Sequence, residues 1–202
     1  MSALAIFAAL AAAAAPPSDA PIGQFAAIPN VTLTFYDVTG RDPAAIRRSI
    51  DAARPTDPND GARVDGLSAY RYAWQWVSEQ GVCRIMPDDI QFAATIMIPR
   101  LTTNVSPELR AEFDLYIRTL LAHEYGHVGF GWAQRVEIAA AINAADCNTA
   151  NVAARAAVTA IGIQNAAYDA ETGHGANVIH PFGYARNARW TTDMRRASRL
   201  EM

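Results

Sequence analysis

Two histidines and a glutamate within one pentapeptide are the residues of this chain best placed to do chemistry. His123, Glu124 and His127 occur in the run His-Glu-Tyr-Gly-His, late in an apolar stretch of helical periodicity. Residues four apart on a helix share one face, so both imidazoles can reach the same metal ion. Zinc accepts histidine nitrogens in tetrahedral geometry, and the glutamate beside the first histidine is then placed to act as a general base. The pattern predicts one catalytic Zn²⁺ ion and the hydrolysis of peptide bonds.

A catalytic zinc needs a third protein ligand, since the pentapeptide supplies two. His174 is the favoured candidate, because Gly173 and Gly175 on either side let the backbone turn sharply and bring the imidazole in from a helix end. Asp169 is the alternative, and His180 follows it. The residues alone leave this choice open.

Two further roles have candidates in the same region. Tyr168 and His180 are expected to donate a hydrogen bond to the oxyanion that develops during hydrolysis. Asp169, if it is not a ligand, is suited to orient a ligand histidine through the second ring nitrogen. A fourth protein ligand would close the coordination sphere and favour a structural site. The alternative hypotheses are therefore a non-catalytic zinc- or partner-binding envelope protein, and a hydrolase of cell-wall peptide cross-links.

Length and composition indicate a single globular domain. The chain has 202 residues, of which 51% are hydrophobic, and this is enough to form a core. A net charge of −3 provides no basic face for nucleic acid. The expected partner is a peptide or protein substrate, and the pattern says nothing of the oligomeric state.

The N-terminal segment is typical of an export signal. Residues 1–15 form an apolar run that ends in alanines and is followed by Pro16 and Pro17. This run is too short to span a bilayer. We therefore expect a signal peptide over residues 1–20 and one zinc metallopeptidase-like domain over residues 21–202. The mature protein would be periplasmic or extracellular, with no stable membrane span after signal removal; a buried N-terminal helix is the alternative.

Cys83 and Cys147 are the two cysteines of the chain. In an oxidising compartment, two lone cysteines in a domain of this size most simply pair. The pairing would tie the exit of the His-Glu-x-x-His helix to the strand region near Cys83. If the protein is not exported, two buried free thiols become the better interpretation.

Periodicity and capping residues predict an α+β domain. Strands are expected over residues 31–38, 70–76, 82–86 and 90–98, the last closed by Pro99. Helices are expected over residues 44–53, from Ser106 into His123, over 136–145 and over 149–169, with a polar loop at 54–66. The aromatic side chains that alternate along residues 70–76 favour core packing over a substrate surface. Glycines after His123 indicate a bend or close packing.

Six features of the chain resemble one family. They are residues 36–40 (Tyr-Asp-Val-Thr-Gly), Cys83 after the aromatic strand, the strand closing at Pro99, the pentapeptide, Cys147, and residues 168–175 (Tyr-Asp-Ala-Glu-Thr-Gly-His-Gly). Together they span roughly residues 31–176 and are similar to the DUF922 family of predicted secreted bacterial zinc-dependent proteases. The resemblance supports His174 as a ligand, because that histidine stands in the second motif. It is also consistent with a zincin-like fold, in which a small antiparallel or mixed sheet of three to four strands packs on helices with the His-Glu-x-x-His helix at the centre.

Overall fold

A mixed three-stranded sheet forms the framework of the computed structural model, which describes residues 28–183. Strand β1 (Val31–Val38) is parallel to the central strand β5 (Gln91–Leu101), and β2 (Leu67–Ala73) is antiparallel to it on the other side. Strands β3 (Val77–Glu79) and β4 (Val82–Arg84) form a separate antiparallel hairpin. The predicted α+β class with a small mixed sheet is confirmed. The expected signal peptide over residues 1–20 lies outside the described residues, as does the chain from residue 184 onward.

Four α-helices accompany the strands within residues 28–183, and side-chain caps set where the first two begin. Helix α1 (Pro43–Ala53) follows Asp42, whose carboxylate accepts a hydrogen bond from the Ala45 amide. Helix α2 (Pro107–Ala133) follows Ser106, which caps it in the same way. Helices α3 (Arg135–Ala144) and α4 (Ala150–Thr172) complete the set. Within residues 28–183, none of these helices has the apolar length that a bilayer crossing requires.

The glycines of α2 permit close packing rather than a bend. The helix continues unbroken through Gly126, Gly129 and Gly131 to Ala133. A Cβ atom on Gly131 would lie 2.9 Å from the Tyr70 ring, so a larger residue there would push strand β2 away. Of the two expected outcomes, close packing is therefore the correct one.

Several strand boundaries differ from the prediction, and two of the differences have a clear physical reason. The aromatic strand ends at Ala73 instead of residue 76, because Trp74 and Trp76 leave the sheet and both direct their indole N–H groups to the Asn151 side chain. These rings and those of β2 are partly buried against the core, as predicted.

Strand β5 runs past Pro99 to Leu101. Pairing between β5 and β2 stops at Met97. Pro99, which has no N–H group, therefore lies beyond the hydrogen bonds that join these two strands.

The core has two parts, and the disulfide belongs to the second. One cluster lies between the sheet, α1 and α2, and another lies between β4, α3 and α4. Cys83 in β4 is bonded to Cys147 in the turn between α3 and α4, as predicted. The bridge thus follows the exit of α3, and not the exit of the longer helix α2 that carries the histidine pair.

Candidate metal centre

Two imidazoles converge on one point where α2 faces α4. His123 and His127 lie one turn apart on α2, and each is at most 4% exposed. Their Nε2 atoms are 3.2 Å apart, and the two rings are nearly perpendicular. The sequence spacing therefore produces the arrangement it predicts, with both nitrogens directed at the same space.

A carboxylate from α4 completes a three-membered donor set. Oδ1 of Asp169 lies 3.0 Å from Nε2 of His127 and 3.4 Å from Nε2 of His123. Zinc bonds of about 2.0–2.2 Å at tetrahedral angles place donor atoms about 3.3 Å apart. The three separations match that value, and two nitrogens with one oxygen form a donor set that zinc accepts. The residues present therefore fit a zinc ion.

Asn165 fixes the orientation of one of these imidazoles. Its side-chain oxygen lies 3.0 Å from Nδ1 of His127 and accepts a hydrogen bond from that ring nitrogen. With the proton on Nδ1, the neutral ring presents the lone pair of Nε2 to the donor set. Nδ1 of His123, in contrast, is buried without a hydrogen-bond partner among residues 28–183.

The charges of the donor set stabilise one another. Burial pushes the pKa of Asp169 upward, but the contacts of its carboxylate with the His123 and His127 imidazoles outweigh it and hold that pKa well below 3.8. Burial lowers the pKa of His127, yet its contacts with Asp169 and Asn165 raise it above 6.5 overall. The carboxylate is therefore ionised at neutral pH, which is the form a metal ion requires.

Glu124 lies in a tightly shaped part of the same cavity. It is 5% exposed, and a Cβ atom on Gly66, just before β2, would lie 2.5 Å from its Oε1. Burial raises the pKa of Glu124 above 4.5, against the lowering effect of His123, His127 and a hydrogen bond from Ser68. The backbone at Gly66 thus sets the space available to the predicted general base.

His174 lies beside the donor set and not within it. Helix α4 ends at Thr172 with Gly173 as its C-cap, and His174 and Gly175 follow in the left-handed region, with φ angles of 52° and 77°. Nε2 of His174 is 3.0 Å from Oδ2 of Asp60, and its Nδ1 is 3.8 Å from Oδ1 of Asp169. Asp169, the alternative third ligand, is thus the residue that the structure brings together with His123 and His127. A Cβ atom on Gly175 would lie 2.9 Å from the His123 ring, so this turn approaches α2 closely, as the flanking glycines indicate.

The two candidate oxyanion donors occupy different positions. His180 lines a cavity of about 320 Å³ together with Glu124 and the donor set, and its backbone N–H donates to the Thr119 hydroxyl. The ring of Tyr168 stacks on His123 and meets His127 edge-on, and it is not among the residues that line the cavity. The geometry therefore keeps His180 available to a substrate and gives Tyr168 a packing role behind the imidazoles.

Several residues of the site were not predicted from the sequence. Asn165 stands four residues before Asp169, so it shares a helix face with that carboxylate, and this spacing is the signal by which it was detectable. Asp57, Asp60 and Gly66 come from the polar loop that follows α1. A loop has no periodicity, and its composition did not indicate that it would form one wall of the cavity.

Comparison with known proteins gives one match. No curated protein and no solved structure matches this chain. One family model does match, and it covers residues 33–175, which include most of β1, the whole of α2, the donor set and His174. The chain therefore belongs to DUF922, a family described as bacterial proteins of unknown function.

Proposed function

We propose that this protein is a zinc-dependent hydrolase of peptide bonds, in which His123, His127 and Asp169 hold one catalytic ion. The observation that carries the proposal is the convergence of two buried imidazoles and the partly buried Asp169 carboxylate, with donor atoms 3.0–3.4 Å apart, at the wall of a cavity that also contains Glu124. A zincin-like arrangement, with the His-Glu-x-x-His helix against a mixed sheet, is part of this proposal.

The chain's own residues have distinct tasks in the proposed reaction. When bound, zinc supplies a Lewis acid that lowers the pKa of a water molecule towards neutrality and polarises the carbonyl that is attacked. Glu124 accepts the proton of the attacking water and delivers it to the leaving amine. Asn165 holds His127 in the tautomer that leaves Nε2 available. His180 is the candidate donor to the developing oxyanion, because it lines the cavity.

A catalytic role is favoured over a structural zinc site by the composition of the donor set. Three protein donors leave one tetrahedral position for water, whereas structural sites are closed by four. The neighbouring cavity of about 320 Å³ has room for a small segment of substrate. Export to the periplasm or the cell exterior is part of the proposal, and the Cys83–Cys147 disulfide supports it, since such bonds persist in oxidising compartments.

The decisive variant is Glu124→Gln, which keeps the shape of the side chain and removes the base. We expect wild-type zinc content and a loss of about 10²–10⁴-fold in the cleavage rate of a labelled protein substrate, measured beside metal content. Glu112→Gln, at an exposed position of the same helix, is the matched control and should cleave normally. Unimpaired cleavage by zinc-loaded Glu124→Gln would refute the mechanism. Zinc binding without cleavage of proteins or cell-wall peptides would support the envelope-binding alternative.

A further inference from the structure

We propose that the cavity binds a second divalent cation, held by Asp57, His174 and Asp169, with Asp169 bridging the two ions. The inference rests on the proposed function, because Asp169 is also a ligand of the first ion. It gives His174 a role that differs from the predicted one: the histidine binds metal at the neighbouring site.

The three donors lie close enough to share an ion. One ligand atom from each of Asp57, Asp169 and His174 lies within 4.8 Å of the other two. Oδ2 of Asp60 is 3.0 Å from Nε2 of His174, and this contact favours the neutral tautomer with the proton on Nε2 and the lone pair on Nδ1. That lone pair faces Oδ1 of Asp169 at 3.8 Å. Two electron-pair donors that face each other in this way are stabilised by a cation between them.

Asp57 is the second observation that points to a ligand. It is only 5% exposed, and its Oδ1 accepts a hydrogen bond from the Asn59 amide. Its Oδ2 has no hydrogen-bond or ion-pair partner among residues 28–183. Asp57 lines the same cavity as Asp169 and His174, so a metal ion in that cavity can be the partner of its free carboxylate oxygen.

The arginines near the cavity do not neutralise these carboxylates. Arg54 pairs with Asp51 and Asp65, and the guanidinium of Arg63 donates to backbone carbonyls. Asp57, Asp60, Asp169 and Glu124 carry four negative charges when ionised, and among residues 28–183 the ion pairs of Asp60 and Asp169 are with histidines. One divalent ion balances half of this charge, and two balance it fully.

A shared carboxylate is a common feature of two-metal hydrolytic centres, whose ions lie about 3.5–4 Å apart. The second donor set has one imidazole nitrogen and carboxylate oxygens, which suits Zn²⁺ or Mn²⁺. We expect this site to be the weaker of the two, because His174 is 33% exposed while the imidazoles of the first site are almost fully buried.

Metal stoichiometry tests the inference. Metal-free wild type is titrated with Zn²⁺ by calorimetry, and bound metal is counted by mass spectrometry after dialysis at micromolar free metal. We expect two ions in the wild type and one in Asp57→Ala and in His174→Ala, with the affinity of the first site changed less than threefold. The double Co²⁺ form of the wild type should show magnetic coupling by electron paramagnetic resonance. Asp88→Asn, at a carboxylate that is 95% exposed, is the control and should retain two ions.

Circular dichroism establishes that each variant is folded, so a lost ion reports on the site itself. A wild type that saturates at one ion, or Asp57→Ala and His174→Ala proteins that keep two, would overturn the inference and leave the first site intact. Two bound ions together with unimpaired cleavage by Glu124→Gln would instead contradict the proposed function and support the second site. The two failures are therefore distinguishable.

Discussion

Nδ1 of His127 lies 3.0 Å from the side-chain oxygen of Asn165, so the imidazole on α2 is oriented from α4. The same helix supplies Asp169 one turn further on, and its Tyr168 ring packs against both histidines. The two helices can approach this closely because of Gly126, where a Cβ atom would lie 3.0 Å from the Tyr168 hydroxyl. The candidate metal centre is therefore a product of the contact between α2 and α4, and not of α2 alone.

Removing the hydrogen bond from Asn165 should weaken the metal site without abolishing it. We expect Asn165→Ala to bind zinc about 10–100-fold more weakly, since partners that orient a ligand contribute by that amount. Competition with a fluorescent zinc chelator measures this affinity. Gln164→Ala changes the exposed neighbour on α4 and should leave it unchanged. Equal affinities in the two variants would show that Asn165 does not orient the ring.

The third ligand of the first ion can be identified by two substitutions. Asp169→Ala should lose tight zinc binding, because its carboxylate lies 3.0 Å and 3.4 Å from the two histidine nitrogens. His174→Ala should still bind one zinc ion at one equivalent of added metal. Metal analysis after gel filtration separates the two. Loss of the tight ion from His174→Ala, with retention in Asp169→Ala, would restore His174 as the third ligand.

Gly66 is expected to determine the position of Glu124, the proposed general base. In Gly66→Ala the new Cβ atom would lie 2.5 Å from Oε1 of Glu124, so the carboxylate has to move. A displacement of about 1 Å in a catalytic group can cost about 10²-fold in rate. We expect a loss of that order in kcat at wild-type zinc content. Gly162→Ala, where a Cβ atom meets nothing within 4 Å, is the control and should retain full activity.

The elements that the sequence predicted best are those set by residues close together in the chain. The capping side chains of Asp42 and Ser106 act within three residues, and the paired imidazoles of His123 and His127 are one turn apart. Such local interactions fix φ/ψ choices directly, so they can be read from spacing. The bounds of β1 and the start of the helix that enters His123 follow from the same kind of pattern.

The sequence could not decide between His174 and Asp169 as the candidate third ligand, because the choice depends on where α4 ends. The flanking glycines correctly located a turn at His174, but the helix continues to Thr172 and keeps Asp169 on its inner face. Beyond the helix the left-handed turn directs His174 to Asp60, a residue more than a hundred positions earlier. Pairings of that kind depend on the packed loop and leave no periodic signal in the sequence.

The disulfide should stabilise the fold without contributing to the metal site. Cys83 and Cys147 are 64 residues apart, and closing a loop of that length contributes about 4 kcal/mol in the chain-entropy model. Neither cysteine lines the cavity of the candidate centre. Urea unfolding of the Cys83→Ser, Cys147→Ser double variant should show a loss of a few kcal/mol, with zinc affinity unchanged. Parallel losses of zinc affinity and stability would contradict this separation. The double variant should also be insensitive to reductant, unlike the wild type.

The ion pair between Arg47 and Asp65 should make stability depend on acid pH. Arg47 donates two hydrogen bonds to the carboxylate of Asp65, at 2.6 Å and 2.7 Å, and the Tyr116 hydroxyl donates a third at 2.9 Å. Burial raises the pKa of Asp65, but these contacts outweigh it and hold the pKa below 3.8. Removing one partner of a buried pair costs about 3 kcal/mol or more. We expect that loss for Asp65→Asn at neutral pH.

The sign of the pH dependence follows from the lowered pKa of Asp65. Its stabilisation is fully present above the unfolded-state pKa of 3.8 and is lost as the pH falls through the lower folded-state pKa. The difference in unfolding free energy between metal-free wild type and Asp65→Asn should therefore be constant above pH 5 and shrink below pH 4. Asp37→Asn is the control, because Asp37 and its partner Arg100 are both more than half exposed and such pairs contribute little. A difference for Asp65→Asn that persists unchanged into acid would mean that packing, and not the carboxylate charge, accounts for its effect.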